Sequence, residues 1–154
     1  MINLNLDLLS NSSDLLTKNE SGKTTVWDPV RKIHVVFTPE ESVRQLLYIF
    51  LTKEFNSLNN RISIEKELKV NFRKKRFDML VYDSLFQPFM LVECKAPHVN
   101  ITQSVFDQVA WYNVALKAPF LLVSNGRVNY CAQINFEEKS YTFLDKLPFD
   151  KENL

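Results

Sequence analysis

Glycine, cysteine and net charge are all scarce in this sequence, and each shortage excludes a class of protein. With two glycines among 154 residues, neither a G-x-G-x-x-G loop nor a Walker pattern occurs, so nucleotide binding is not expected. The two cysteines, Cys94 and Cys131, have no CxxC spacing and lie in apolar stretches. They are therefore expected to be buried thiols of a reducing compartment and not parts of a zinc site or a disulfide framework.

Long apolar runs are lacking as well. The first seven residues do not show the basic start and apolar continuation of a signal peptide, and no run is long enough to span a bilayer. These observations predict a soluble, cytoplasmic protein without a membrane partner. The formal net charge of +1 neither indicates nor excludes a polyanionic ligand.

The apolar residues that are present suffice for one domain. Hydrophobic residues make up 45% of the chain and aromatic residues 12%, which is enough for a hydrophobic core at this length. We expect an N-terminal arm over 1–23, a folded domain over 24–147 and a C-terminal tail over 148–154.

Hydrophobic periodicity predicts the order α-β-β-β-α-β with extra strands at both ends, and so a fold of the α/β (α+β) class. The first helix is expected to begin at Thr38-Pro39, a capping hydroxyl followed by a first-turn proline, and to run to about residue 55. The second is expected over 102–116. Strands are expected at 24–27, 33–37, 61–72, 76–82, 89–95, 120–123, 128–134 and 141–144, with a turn at 73–75.

Polar residues fall on the apolar stripes of both helices. In the first helix Glu40 lies on the stripe and Glu41 lies beside it. In the second helix Gln108 and Tyr112 share a stripe with Val109, so both are expected on the face turned toward the sheet.

Charged residues inside two apolar strands are the most informative feature of the chain. Asp78 lies in the run Phe77–Tyr82, and Glu93 and Lys95 lie in the run Phe89–Lys95. Charged side chains seldom occupy such segments unless they are paired, bound to a ligand or used in chemistry. Alternate residues of a strand share a face, so Glu93 and Lys95 point the same way, and a hairpin can bring Asp78 onto that face.

Two acids and a lysine that converge in this way predict a metal site. The carboxylates of Asp78 and Glu93, helped by the carbonyl of Cys94, are hard oxygen ligands that suit Mg²⁺ or Mn²⁺. Such an ion polarises a phosphoryl oxygen and lowers the pKa of a bound water. Lys95 would orient or deprotonate the attacking water, a base role for which a lowered pKa is expected, or neutralise charge on the phosphorus.

Five short motifs follow one another within about residues 24–147: Pro39-Glu40-Glu41-x-Val43-Arg44-Gln45, Lys75-Arg76-Phe77-Asp78, Val92-Glu93-Cys94-Lys95-Ala96-Pro97, Gln108-x-x-x-Tyr112-Asn113 and Ser124-Asn125-Gly126. In this order they resemble the N-terminal nuclease domain of type I restriction enzyme R subunits, a member of the PD-(D/E)XK nuclease superfamily. The resemblance implies a restriction-endonuclease-like fold, with a mixed sheet flanked by helices, and Mg²⁺-dependent cleavage of DNA phosphodiesters in a restriction-modification system.

Carried over position by position, the resemblance implies that Asp78 and Glu93 are metal ligands and that Lys95 is the catalytic lysine. One of Glu40 and Glu41 would be the acid of the first helix. Helical phase favours Glu40, whereas the form of the family motif favours Glu41.

Gln108 and Tyr112 match the Q-x3-Y element that such nucleases place next to the site. The competing interpretation is simple packing of the helix on the sheet.

A basic cluster formed by Arg73, Lys74, Lys75 and Arg76 directly precedes the acid motif and is the expected DNA-binding element; a solvated turn is the alternative. The expected partners are DNA, double-stranded by preference, and other restriction-modification subunits or a second copy of the chain.

The helicase motor domains of an R subunit have no counterpart in the sequence, so the leading hypothesis is a metal-dependent DNA endonuclease without ATP-driven translocation. The first alternative is a non-catalytic nucleic-acid-binding or assembly module that retains the fold. The second is a plain scaffold in which Glu93 and Lys95 form an ordinary surface pair, because the E-x-K spacing is common.

Overall fold

A six-stranded sheet with one helix on each face is the centre of the fold. The computed structural model describes residues 1–65, 67–70 and 73–149, and for residues 68–70 and 73–75 the backbone alone. The described strands, in chain order, are β1 (Thr17–Glu20), β2 (Lys23–Asp28), β3 (Ile33–Val36), β4 (Ile62–Ile64), β5 (Glu67–Val70), β6 (Arg73–Arg76), β7 (Met79–Tyr82), β8 (Pro88–Cys94), β9 (Phe120–Ser124), β10 (Asn129–Asn135) and β11 (Ser140–Leu144). Two α-helices, α1 (Pro39–Glu54) and α2 (Gln103–Asn113), complete these elements.

The large sheet has the strand order β11-β10-β9-β8-β7-β4. Strands β8 and β9 pair in parallel and are connected through α2, whereas the other neighbours in this sheet are antiparallel. Two smaller units stand apart: a three-stranded sheet β1-β2-β3 and a two-stranded ribbon β5-β6. The mixed sheet flanked by helices, and the predicted α-β-β-β-α-β order, are confirmed.

Both helices begin at a threonine cap. Thr38 accepts the backbone N–H of Glu41 at 3.1 Å, and Pro39 occupies the first turn, where its missing N–H costs no hydrogen bond. Thr102 accepts the backbone N–H of Val105 at 3.4 Å in the same way. The predicted start of α1 is therefore confirmed.

Alternate side chains of the central strands point to opposite faces of the sheet, and each face carries an apolar layer. The layer under α1 contains Val43, Leu46, Leu47, Leu51, Met79, Val81, Met90, Val92, Cys94 and Leu122. The layer under α2 contains Leu80, Leu91, Phe106, Val109, Leu121 and Val123. Burial of each large side chain contributes about 1.5–3 kcal/mol, so these two layers hold the central hairpin rigidly from both sides.

The strand expected over 61–72 is interrupted in the structure. Strand β4 ends at Ile64, Glu65 has a left-handed backbone with φ of 51°, and β5 begins at Glu67. The turn expected at 73–75 is wrong, because these residues belong to β6, which pairs with β5. Residues 66 and 71–72 lie outside the described part of the chain.

The predicted orientation of the second helix is also wrong. Phe106, Val109 and Asn113 are its buried residues, whereas Gln108 is exposed and Tyr112 is half-buried. The buried stripe therefore contains Phe106, Val109 and Asn113 and not Gln108 and Tyr112. Phe106 fills the space against the sheet that Gln108 was expected to face.

The N-terminal residues pack on the large sheet. Leu4 and Leu8 are buried in the layer under α1, and Asn3 forms a β-bridge with Tyr130 of β10. At the other end Phe149 stacks against Phe55 with ring centroids 4.7 Å apart. None of the described helices is long and apolar enough to cross a membrane.

Candidate active site

The hairpin of β7 and β8 brings Asp78 and Glu93 together. Met79 lies opposite Val92 in the antiparallel ladder, so Asp78, one residue earlier, is the neighbour of Glu93, one residue later. The Asp78 carboxylate accepts the backbone N–H of Cys94 through Oδ2 at 2.6 Å. Two acids therefore meet at the end of the central strands.

Lys95 completes this cluster. Its Nζ donates to Glu93 Oε1 at 2.6 Å, as expected for residues that share one face of a strand. Its backbone N–H donates to the carbonyl of Ser124 at 2.8 Å, which continues the parallel pairing of β8 with β9. The side chains of Lys95 and Glu93 are 27% and 23% exposed, so the ion pair is partly accessible to solvent.

Burial and the neighbouring acid act together on the ionisation of Asp78. Burial, then the charge of Glu93 and to a lesser degree that of Glu40, raise the pKa of Asp78 to about 7, against the opposing effects of the Cys94 N–H and Lys95. The second carboxylate thus makes ionisation of the first unfavourable. A cation between the two would remove that repulsion.

The pKa of Lys95, which is expected to be lowered beside a metal ion, is raised by the acids around it. Burial acts to lower the pKa of Lys95, but the hydrogen bond and charge of Glu93, with the charges of Asp78 and Glu40, outweigh it and raise the pKa. The lysine is accordingly held as a cation.

The two acids of α1 have different surroundings. Glu40 is exposed and its charge acts on both Asp78 and Lys95. Glu41 is buried and accepts from Arg44 Nη2 and, at 2.8 Å, from Gln45 Nε2. The structure therefore brings Glu40 to the cluster and uses Glu41 in an internal ion pair.

This ion pair is part of a buried network that the sequence patterns did not reveal. Asp28 is fully buried, accepts from Arg31 Nε at 2.7 Å and from Arg44 Nη1 at 3.3 Å, and its pKa is lowered, since these contacts outweigh its burial. Arg31 also pairs with Glu65. These partners are up to 34 residues apart in sequence, and only the charges within otherwise apolar segments hinted at the network.

The remaining predicted residues lie on α2 and on β6. Gln108 Nε2 donates to Tyr112 Oη at 3.1 Å on the outer side of α2. The basic cluster forms β6: Arg76 pairs with Glu65 and is 57% exposed, whereas the side chains of Arg73, Lys74 and Lys75 lie outside the described part of the structure.

The donor set fits a hard divalent cation. Within residues 1–65, 67–70 and 73–149, no three His, Cys, Asp or Glu side chains form a complete ligand cluster. Mg²⁺ does not require one, because it is commonly held by one or two carboxylates together with water and substrate phosphate. Asp78 and Glu93 supply that minimum.

The domain thus has a mixed α/β fold, with two acids and a lysine at the end of its central hairpin. The family model "Type I restriction enzyme R protein N terminus" matches residues 39–148. The chain therefore belongs to the family of type I restriction enzyme R-subunit N-terminal domains.

Among solved structures, a fragment assigned as an HsdR subunit of a type I restriction enzyme from Vibrio vulnificus YJ016 has a similar fold. The TM-score is 0.51 with 20% sequence identity over 71% of this chain, and the match spans 23% of that fragment. No curated protein matches the chain.

Proposed function

We propose that this domain is a Mg²⁺- or Mn²⁺-dependent DNA endonuclease of the PD-(D/E)XK type. The observation that supports the proposal most directly is the placement of Asp78 opposite Glu93 in the ladder of β7 and β8, with Lys95 two residues after Glu93. Membership of a restriction-enzyme subunit family supports the choice of a phosphodiester as substrate.

In this proposal Asp78 and Glu93 hold the cation, and the Cys94 carbonyl is a further oxygen ligand. The cation, when bound, supplies Lewis-acid activation of the phosphate and of a water molecule. The Cys94 N–H orients the Asp78 carboxylate, because it fixes Oδ2 at 2.6 Å. Lys95 supplies a fixed positive charge that orients the attacking water and offsets charge on the phosphate.

Glu40 contributes a third carboxylate to this region from the first turn of α1. Gln108 and Tyr112, on the accessible side of α2, are proposed to contact the substrate. Arg73, Lys74, Lys75 and Arg76 are proposed to bind the phosphates of double-stranded DNA. Other restriction-modification subunits, or a second copy of the chain, are the proposed protein partners.

Plasmid nicking tests the function. The purified chain is incubated with supercoiled DNA and Mg²⁺, Mn²⁺ or EDTA, and compared with Asp78→Asn, Glu93→Gln and Lys95→Met. The matched controls are Asp83→Asn, at the other end of the same hairpin, and Lys53→Met, in the exposed Lys53–Asp14 pair. We expect divalent-ion-dependent cleavage that only the first three substitutions abolish.

A non-catalytic DNA-binding or assembly module is the second candidate. The ion pair between Lys95 and Glu93, which occupies one of the two carboxylates, favours it. Salt-dependent DNA binding without cleavage, and no change in melting temperature with Mg²⁺, would support this candidate. A rise in melting temperature with Mg²⁺ that Glu93→Gln abolishes would contradict it.

A further inference from the structure

Glu65 connects three parts of the molecule. It lies where β4 ends and the β5–β6 ribbon begins, and its backbone N–H donates to the carbonyl of Asp78 at 3.1 Å. Its carboxylate oxygen Oε2 accepts from Arg31 Nη1 and from Arg76 Nη2. A single residue thus contacts Arg31, the last residue of the ribbon and the backbone of a proposed metal ligand.

The backbone of Glu65 requires this support. Its φ of 51° is in the left-handed region, which residues with a β-carbon seldom adopt. Such conformations persist where the surroundings impose them, and they concentrate at functional sites. In this conformation the Glu65 carboxylate is bonded by the guanidinium groups of Arg31 and Arg76.

The body side of this connection is rigid. Arg31 is bonded through Nε to Asp28, which is fully buried and also accepts from Arg44 of α1. The side chains of Arg31 and Glu65 are only 23% and 22% exposed, so solvent screens their pairing less than that of a surface ion pair. Glu65 is thereby fixed relative to α1.

The ribbon side leads directly to the site. Arg76 ends β6, two residues before Asp78, so its bond to Glu65 closes the base of the ribbon. Asp78 is then held at two points: Glu65 holds its carbonyl, and the Cys94 N–H holds its carboxylate. Ligands at metal and catalytic sites depend on such supporting contacts for their orientation.

We propose that Glu65 is a positioning residue: its carboxylate, held between Arg31 and Arg76, fixes the Asp78 backbone so that the Asp78 carboxylate stays on the Cys94 N–H and beside Glu93. The catalytic consequence rests on the proposed nuclease function. The placement of Asp78 is a property of the metal-free chain and is tested separately.

The test is hydrogen exchange of the Cys94 amide, followed by NMR in EDTA. Glu65→Gln keeps the shape of the side chain and removes its charge; we expect the Cys94 amide to exchange about tenfold faster, through local opening, while the Leu122 amide keeps its protection. Glu65→Asp keeps a carboxylate and tolerates the left-handed backbone, so an intermediate rate is expected. Asp14→Asn, which removes a carboxylate from an exposed pair with Lys53, is the control and should leave the rate unchanged.

Glu65→Gly separates the carboxylate from the backbone. Glycine adopts the left-handed conformation without strain and retains the N–H to Asp78. If backbone conformation alone positions Asp78, Glu65→Gly exchanges like the wild type, and the proposal is overturned. Unchanged Cys94 exchange in Glu65→Gln overturns it as well.

Cleavage provides a second measurement. We expect Glu65→Gln to lower kcat and to raise the Mg²⁺ concentration needed for half-maximal rate, with little change in KM for DNA. If the wild type cleaves no DNA with any divalent ion, the proposed function fails, and the exchange rates still decide the positioning role of Glu65.

Discussion

The Asp78 carboxylate accepts the backbone N–H of Cys94 at 2.6 Å, where the antiparallel ladder of β7 and β8 would otherwise continue through the backbone. One side chain thus has a structural contact and a proposed ligand role. A substitution that keeps a hydrogen-bond acceptor at position 78 but removes the charge distinguishes the structural contact from the ligand role.

Asp78→Asn should stabilise the metal-free protein at alkaline pH. In the folded state the pKa of Asp78 is raised from 3.8 to about 7, so the folded chain binds this proton more tightly than the unfolded chain. Folding stability from this group is therefore highest below pH 4, falls between pH 4 and 7, and is lost above pH 7. At about 1.4 kcal/mol per pKa unit, the gain in Asp78→Asn at pH 8 is on the order of 2–4 kcal/mol.

Urea unfolding of wild type and Asp78→Asn in EDTA, at several values between pH 4 and 8, measures this difference. The difference should shrink as the pH falls. A constant difference across that range would show that the charge of Asp78 does not oppose folding.

Lys95→Met should lower the cleavage rate by about 10²-fold or more, the usual effect of removing a group that stabilises developing charge. The fold should persist, because the backbone N–H of Lys95 still donates to Ser124. Single-turnover cleavage at saturating Mg²⁺ measures the loss, and a melting curve confirms folding. A rate within a factor of two of wild type would remove Lys95 from the site.

Glu40 and Arg44 should respond to substitution in opposite ways. Arg44 is 3% exposed and bonds Glu41 and Asp28, so Arg44→Met removes the cation that these two buried acids share and should cost about 3–5 kcal/mol of unfolding free energy. Glu40→Gln, at an exposed position, should change that free energy by less than about 0.5 kcal/mol while reducing cleavage. A stability loss in Glu40→Gln as large as that in Arg44→Met would show that Glu40 is structural as well.

Substitutions on the exposed and the buried side of α2 should affect different properties, cleavage in one case and stability in the other. Phe106→Ala should destabilise the fold by about 3–5 kcal/mol, because Phe106 is fully buried between α2 and the sheet. Gln108→Ala should leave stability unchanged and weaken DNA cleavage. Denaturant unfolding and cleavage assays on both variants distinguish packing from substrate contact.

The ribbon should account for much of the salt dependence of DNA binding. The backbone register of the ribbon pairs Lys69 with Lys74, and all four residues of β6 are basic. The double variant Lys74→Gln with Lys75→Gln should bind DNA with a weaker salt dependence. The negative slope of the logarithm of the DNA association constant against log salt should decrease in magnitude by about 0.9 for each phosphate that is no longer neutralised. Lys18→Gln with Lys23→Gln, on exposed positions of β1 and β2, carries the same charge change and should not have this effect.

The sequence predicted those elements whose limits depend on residues close together in the chain. The start of α1 follows from Thr38 and Pro39, and the apolar runs around Asp78 and Glu93 indicated the central strands. The rotation of α2 was missed because Val109 belongs to both candidate stripes. What decides between them is Asn113, whose buried amide bonds the backbone of Ala118 at both its donor and its acceptor, and a hydrophobic pattern does not record such a bond.

Long-range contacts explain the other differences. The break at Glu65 depends on Arg31, which is 34 residues away in the chain. The choice between Glu40 and Glu41 depends on Arg44 and Asp28, which together leave Glu40 as the acid that acts on Asp78. Periodicity carries no information about which charged groups meet across elements.

The parallel pairing of β8 with β9 has a consequence for the order in which the molecule assembles. Asp78 and Glu93 meet within a local hairpin, whose loop is short and closes quickly. The bond from Lys95 to Ser124 forms only after the whole crossover through α2 has folded back onto the sheet. Asp78 and Glu93 should therefore come together early during folding, and the bond from Lys95 to Ser124 should form late. Substitutions in the crossover should slow completion of the site without preventing the two acids from meeting.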